Sequence, residues 1–322
     1  MDIVVKSEEQ LDRVDRILRE VRQLQGAHKW SNGEVARRAD IPGSTFSEVM
    51  RGVYRGNPAP YIDKLERWIA LEAQELEVKS AGLADIGFVE TSVAKQMITA
   101  LRFAQSRPAL VMLTLGSGLG KTMTLSWYAA NHNNAWRVVI EPIEGKPRPA
   151  MRRIATAVGA ESFHINSLMG ELKQRLSRAE GRQCLLMIDE AQNLTDAAVN
   201  QLRFLLDEAR CGIALAGNED LMTRYALAAS REGYGQIHRR VFMRVHEKTA
   251  PSADIDLLLD KVDIHDPAIR KLAHQIGSRA GGFGQVMDTL HLASLLAYGK
   301  GRMLSADDVR DAWSNRAREV IR

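Results

Sequence analysis

Residues 115–122 read Leu-Gly-Ser-Gly-Leu-Gly-Lys-Thr, directly after the apolar run Ala109–Leu115 and directly before a helical run. Gly116, Gly118 and Gly120 let backbone amides curl around an anion with no Cβ in the way. Ser117 and Leu119 fill the positions between them. A helix opening at once afterwards adds its free N-terminal N–H groups, which suit a phosphate. Lys121 supplies a point charge for β- and γ-phosphate oxygens, and Thr122 offers a hydroxyl to Mg2+. The pattern is a phosphate-binding loop that lacks only its first glycine, where Leu115 stands.

The loop has a chemical partner downstream. Leu185-Leu186-Met187-Ile188-Asp189-Glu190 is a buried strand with two carboxylates at its C-terminal tip, where ligands collect in parallel sheets. Asp189 is placed to hold the magnesium through water, and Glu190 to polarise an attacking water. A further apolar run, Ile213–Gly217, ends at Asn218, whose amide can orient the same water. Arg239 and Arg240 follow a polar stretch, and one of them can act as an arginine finger on a neighbouring subunit's γ-phosphate. Plain readings exist for each: a strand-to-helix turn, a solvated strand end, a turn asparagine, surface arginines. The first two lose their force because loop and acidic pair occur together.

The elements that must position these groups alternate. Apolar strands at 109–115, 135–140, 184–188 and 213–216 are separated by helical stretches at 121–131, 149–158, 167–178 and 195–209, and Val241–Val245 can add a last strand. That alternation predicts an α/β fold with a parallel sheet covered by helices on both faces. From Ser252 onward the chain reads as helices alone. At the other end, Ser31 can cap a short helix, Asp40-Ile41-Pro42-Gly43 breaks it, and Ser44–Met50 starts another, as a helix-turn-helix requires. The expected domains are 1–75 (helix-turn-helix), 76–90 (linker), 91–250 (nucleotide-binding) and 251–322 (helical lid), in keeping with 322 residues.

With 45% hydrophobic and 26% charged residues, the chain can fill a core, and its apolar stretches fall far short of the roughly 20 residues of a membrane span. MDIVVKSEE does not resemble a secretory signal, so the expected location is the cytoplasm, without a membrane partner. Cys184 and Cys211 sit in apolar segments and read as buried free thiols; neither they nor the eight histidines have zinc-ligand spacing. Net charge is +4, from 44 basic and 40 acidic residues, which gives only weak support to a nucleic-acid partner.

Two regions are candidates for DNA contact. Ser44, Thr45 and Ser47 face outward from the second helix of the helix-turn-helix, with Arg51 at its end, and suit phosphate contacts or modest base readout. Lys146, Arg148 and Arg152 lie in or after the loop that follows the second strand, where assembled subunits would point them at a common axis. A small protein-interaction domain and a solvated loop are the corresponding bland readings.

Taken together, the loop 115–122, the acidic strand end 185–190, the strand-end Asn218 and the helical C-terminal lid resemble the AAA+ ATPases. FVETSVAKQ at 88–96, NNAW at 133–136, IDEAQNL at 188–194, LAGNEDL at 215–221 and TLHLASLLAYGKG at 289–301 are similar to the phage Mu B family of target-DNA activators, over nearly the whole chain. The resemblance implies ATP and Mg2+ as cofactors, double-stranded DNA and a partner transposase as partners, and ATP-dependent helical filaments of the chain itself in a bacterial host. It implies stimulation of strand transfer and target immunity, with Arg240 a better match to the finger than Arg239. Two positions depart from the family pattern: Leu115, and Gly284 where many relatives carry a lid arginine. A helicase-loader-like ATPase and a nucleotide-gated DNA-binding regulator with little turnover are the alternatives.

Overall fold

Residues that are apolar on alternate sides along short runs make a sheet, and the helical runs between them cover it. The computed structural model describes residues 8–160, 165–177, 183–227 and 240–317. The chain divides into two units, Met1–Gly82 and Leu83–Arg322.

The first unit consists of helices α1 (Glu8–His28), α2 (Asn32–Arg38), α3 (Gly43–Met50) and α4 (Ala59–Ala81). Ser31 caps α2, its Oγ accepting the Glu34 amide at 3.2 Å. Ile17, Val21, Val35, Phe46, Val49, Ile62 and Leu65 form the core, so α2 and α3 make the expected helix-turn-helix pair with Phe46 and Val49 inward. α4 runs to Ala81, beyond the expected end at Glu75. Residues 74–81 hold no glycine or proline and are mostly Gln, Glu, Leu, Lys and Ala, so helix propensity carries the element as far as Gly82. The expected linker 76–90 thus keeps only its second half. There Leu83, Ile86, Phe88 and Val89 pack on the core of the second unit, with Phe88 stacked 4.6 Å from Trp127.

The second unit runs α5 (Ser92–Ser106), β1 (Leu110–Leu115), α6 (Lys121–Asn131), β2 (Ala135–Val139), α7 (Pro147–Val158), α8 (Ile165–Ser177), β3 (Leu185–Asp189), α9 (Asp196–Ala209), β4 (Gly212–Gly217), α10 (Glu219–Leu227) and β5 (Val241–Glu247). The strands are parallel in the order β2-β3-β4-β1-β5. β1, β3 and β4 are buried at every residue, as central strands covered on both faces must be. Val111, Leu113 and Leu115 join Leu185 and Met187 on the face under α5, whereas Leu110 and Met112 join Leu186 and Ile188 on the face under α7, α8 and α9. Cys184 and Cys211 are buried free thiols, and burial pushes the Cys211 thiol up.

The lid is helical throughout its described residues: α11 (Ser252–Lys261), α12 (Pro267–Gly277), α13 (Gly282–Gly299) and α14 (Ala306–Ala317). It shares one core with the sheet rather than standing apart, since Ile255, Leu258, Val286 and Leu290 are continuous with the α5 face. Buried Asp254 ties the two together, accepting both the amide and the hydroxyl of Ser92 at 2.8 Å, which caps α5 from the lid. Among the described residues no helix is long and apolar enough to cross a membrane.

Candidate nucleotide site

The sheet order places the loop after β1 and the acidic tip of β3 on the two sides of β4, all at the C-terminal edge. Leu115 stays in the sheet, opposite Glu247, and the Gly116 amide donates to the Glu247 carbonyl at 2.8 Å. A methyl on Gly116 would run into the Lys248 carbonyl, which explains why the glycine is here and a core leucine before it. Gly118 and Gly120 both have positive φ, +71° and +78°, the left-handed region that favours glycine. Gly120 is the N-cap of α6, so the helix opens at Lys121 with its first amides free of intrahelical partners.

Thr122 Oγ1 donates to Asp189 Oδ2 at 3.1 Å, joining the loop to the acidic strand end. Asp189 is only 1% exposed, and its Oδ1 accepts the Glu190 amide at 3.1 Å. Oδ2 also accepts from Arg137, from Nη2 at 2.8 Å and Nε at 3.2 Å. Glu190 is held in a left-handed conformation, φ 56°, and its Oε2 accepts from Gln192 Nε2. Non-glycine residues held there carry a strain that concentrates at functional sites. The other amide atom of Gln192, Oε1, is buried without a hydrogen-bond partner among the described residues.

Asn218 stands where expected, at the tip of β4 between the loop and Asp189, but its side chain serves its own helix. Its Oδ1 accepts the Asp220 amide at 3.0 Å, and its Nδ2 donates to Asp220 Oδ2 at 2.9 Å. Arg240 lies at the opposite end of the sheet, next to the start of β5, where Val241 faces Leu110. The length of β1 then keeps it roughly 15–20 Å from its own loop. It is ion-paired to Asp207, in a cleft of about 410 Å3 also lined by Arg210 and Phe242. Arg239 lies outside the described residues.

The lid reaches the loop through backbone. The Gly284 amide donates to the Gly118 carbonyl at 3.0 Å, and a methyl on Gly118 would collide with the Gly281 carbonyl. Arg279 places its guanidinium 5.5 Å from the centre of the Trp313 ring, within the lid.

The DNA candidates are accessible to different degrees. Ser44 and Arg51 are exposed, Thr45 and Ser47 half-buried, and the Ser47 hydroxyl donates to the Gly43 carbonyl at 2.9 Å. Lys146, Arg148 and Arg152 are all exposed at the start of α7, beside Ile143, which is 83% exposed. Arg153 instead turns back onto the Val139 carbonyl. Sequence reasoning missed Arg137 and Gln192; the signal for Arg137 was a lone charge in the strand Ala-Trp-Arg-Val-Val.

The family model described as "AAA domain" matches residues 104–224, and that described as "Mu B transposition protein, C terminal" matches 239–315. The chain is an AAA+ ATPase related to the Mu B family. The ATP-dependent target DNA activator B of Escherichia phage Mu is 26% identical over 281 residues, which is 87% of this chain and 88% of that protein. The Mu-like prophage FluMu DNA transposition protein B of Haemophilus influenzae is 27% identical over 259 residues, 78% of this chain and 87% of the relative. Among solved structures, Aeropyrum pernix ORC2 in its ADPNP-ADP complexes matches with a TM-score of 0.52 at 18% identity, over 72% of this chain and 67% of its own. Drosophila ORC bound to DNA matches with 0.54 at 13%, over 75% and 65%. These structures share the AAA+ fold. The residues matched by the AAA domain, 104–224, take in the loop 115–122 together with Asp189 and Glu190.

Proposed function

We propose that the chain is an ATPase whose ATP-bound form assembles on duplex DNA with little sequence preference and delivers that DNA to a partner transposase, stimulating strand transfer. The observation that carries this reading is the Thr122–Asp189 contact at 3.1 Å, which closes a phosphate loop onto an acidic strand end in a chain matching target-DNA activators over most of its length.

Lys121 and the loop amides bind the β- and γ-phosphates. A threonine hydroxyl and a buried carboxylate are hard oxygen donors, a set suited to Mg2+ that otherwise takes its ligands from phosphate and water. Mg2+ bound there would neutralise charge developing on the phosphate oxygens. Glu190 accepts the proton of the attacking water, which requires it to exchange its hydrogen bond from Gln192 for one from that water. Asn218 helps orient the water after leaving Asp220. Arg240, too far from its own loop, serves the γ-phosphate of a neighbouring copy. Lys146, Arg148 and Arg152 repeat along such an assembly and follow the DNA phosphates, while Ser44, Thr45, Ser47 and Arg51 give the first unit a second, weaker contact. Hydrolysis stimulated by the transposase would dismantle the filament near it, the basis of target immunity.

Electron microscopy of the full chain with duplex DNA tests the reading. Regular helical coating of the DNA is expected with ATP and not without nucleotide. Equal DNA occupancy in both conditions would remove ATP-driven assembly from the function.

A further inference from the structure

Arg137 is the charge in the middle of β2, and its partner lies on the next strand. The register sets Arg137 beside Met187 and Val139 beside Asp189, so the arginine side chain rises along the same face of the sheet toward the acidic tip. Its guanidinium reaches Oδ2 of Asp189 through two nitrogens, at 2.8 Å and 3.2 Å. The same oxygen accepts the Thr122 hydroxyl at 3.1 Å.

A buried carboxylate must be paired, because an uncompensated charge out of water is strongly destabilising. Asp189 is 1% exposed, whereas the Arg137 side chain is 25% exposed and retains some freedom to swing outward. A metal ion held by Thr122 and, through water, by Asp189 would bring its charge up to the oxygen edge that Arg137 now occupies. Two cations on one carboxylate oxygen repel each other, strongly so in a poorly solvated site.

We propose that Arg137 is a built-in counter-ion for Asp189, a positioning residue that the metal must displace and that thereby sets the Mg2+ concentration at which the nucleotide site loads. Arg137 fixes the carboxylate in the absence of metal and gives it up when nucleotide and metal arrive together. The proposal rests on the nucleotide-site reading above.

The test is equilibrium binding of a fluorescent ATP analogue to the full chain across a range of buffered free Mg2+, for wild type, Arg137→Gln and Arg137→Lys. Arg137→Gln should reach half-saturation at lower free Mg2+, by about tenfold for a full charge removed beside the metal. Arg137→Lys, which keeps the charge, should stay near the wild-type midpoint. Thermal unfolding in chelator should show Arg137→Gln less stable than wild type, with the gap narrowing once Mg2+ and nucleotide are added. A midpoint that is unchanged or moves upward would overturn the proposal. Should Arg137→Gln not fold, the wild type still decides. Its Arg137 Nε–H resonance should shift and exchange faster when Mg2+ is added to the nucleotide complex, and an unmoved resonance would reject displacement. Failure of the wild type to bind the analogue at any Mg2+ would instead sink the nucleotide-site reading, and this proposal with it.

Discussion

The Gly284 amide donates to the Gly118 carbonyl at 3.0 Å, so the phosphate loop caps the first turn of the lid helix α13. The first amides of a helix have no partner within it, and a cap is worth on the order of 1 kcal/mol. Any rotation of the Gly118 peptide on nucleotide binding would therefore reach the lid directly.

Gly284→Pro removes that amide, while Gly284→Ala keeps it and places its Cβ in ordinary contact, 3.5 Å from Gly118 Cα. In hydrogen exchange, ATP should slow the first turn of α13 in wild type and Gly284→Ala but not in Gly284→Pro. A proline variant that responds to ATP as wild type does would end the coupling idea.

Lys121→Ala should weaken nucleotide binding by roughly ten- to a hundredfold, the value of a charge-assisted contact of about 1.5–3 kcal/mol. Isothermal titration with ATP measures it. Equal affinity in the two proteins would contradict the placement of Lys121 on the phosphates.

Glu190→Gln leaves Asp189 and Thr122 in place, so nucleotide binding should persist while hydrolysis falls by about 10²–10⁴-fold, the usual contribution of a general base. DNA complexes should live longer in consequence. Turnover at the wild-type rate would take Glu190 out of the mechanism.

Arg240→Ala should act on the neighbour rather than on its own site. Mixed with wild type at ratios that allow shared assemblies, it should lower turnover more than dilution alone, since fingers contribute about 10³–10⁵ in rate. Strictly additive activity would argue against a finger at this position.

Neutralising Lys146, Arg148 and Arg152 together should lower DNA affinity and reduce the slope of log affinity against log salt by about 2.7, at about 0.9 per phosphate contact. ATP binding should be unaffected. A salt titration that keeps the wild-type slope would move the DNA path elsewhere on the chain.

What the sequence disclosed and what it hid follow one physical division. Central strands of a parallel sheet must be apolar on both faces, so β1, β3 and β4 announced themselves as apolar runs, that of β1 interrupted by Thr114, and Asp189 and Glu190 as the charges that end one. Glycine spacing marked the loop because the positive φ of Gly118 and Gly120 favours glycine. Arg137 was hidden because its role depends on β2 pairing with β3, which lie far apart in sequence. Asn218 was legible as a position and not as an orientation, since Asp220 competes for its amide. The Gly284–Gly118 contact runs from backbone to backbone, and so left only a run of glycines to read.

The placement of Arg240 and the phosphate loop at opposite ends of one sheet has a consequence for growth. Copies joined by that arginine and that loop must stack head to tail, and a stack whose rotation does not close becomes an open polymer. Such a polymer has a direction. Its leading subunit shows a loop with no arginine to complete it, and its trailing subunit an arginine with no phosphate. If Arg240 completes a neighbour's site as proposed, ATP in the unpaired loop would be the slowest in the row to hydrolyse, so the two tips would differ in lifetime and the polymer would shorten from one side even on DNA that has no direction of its own.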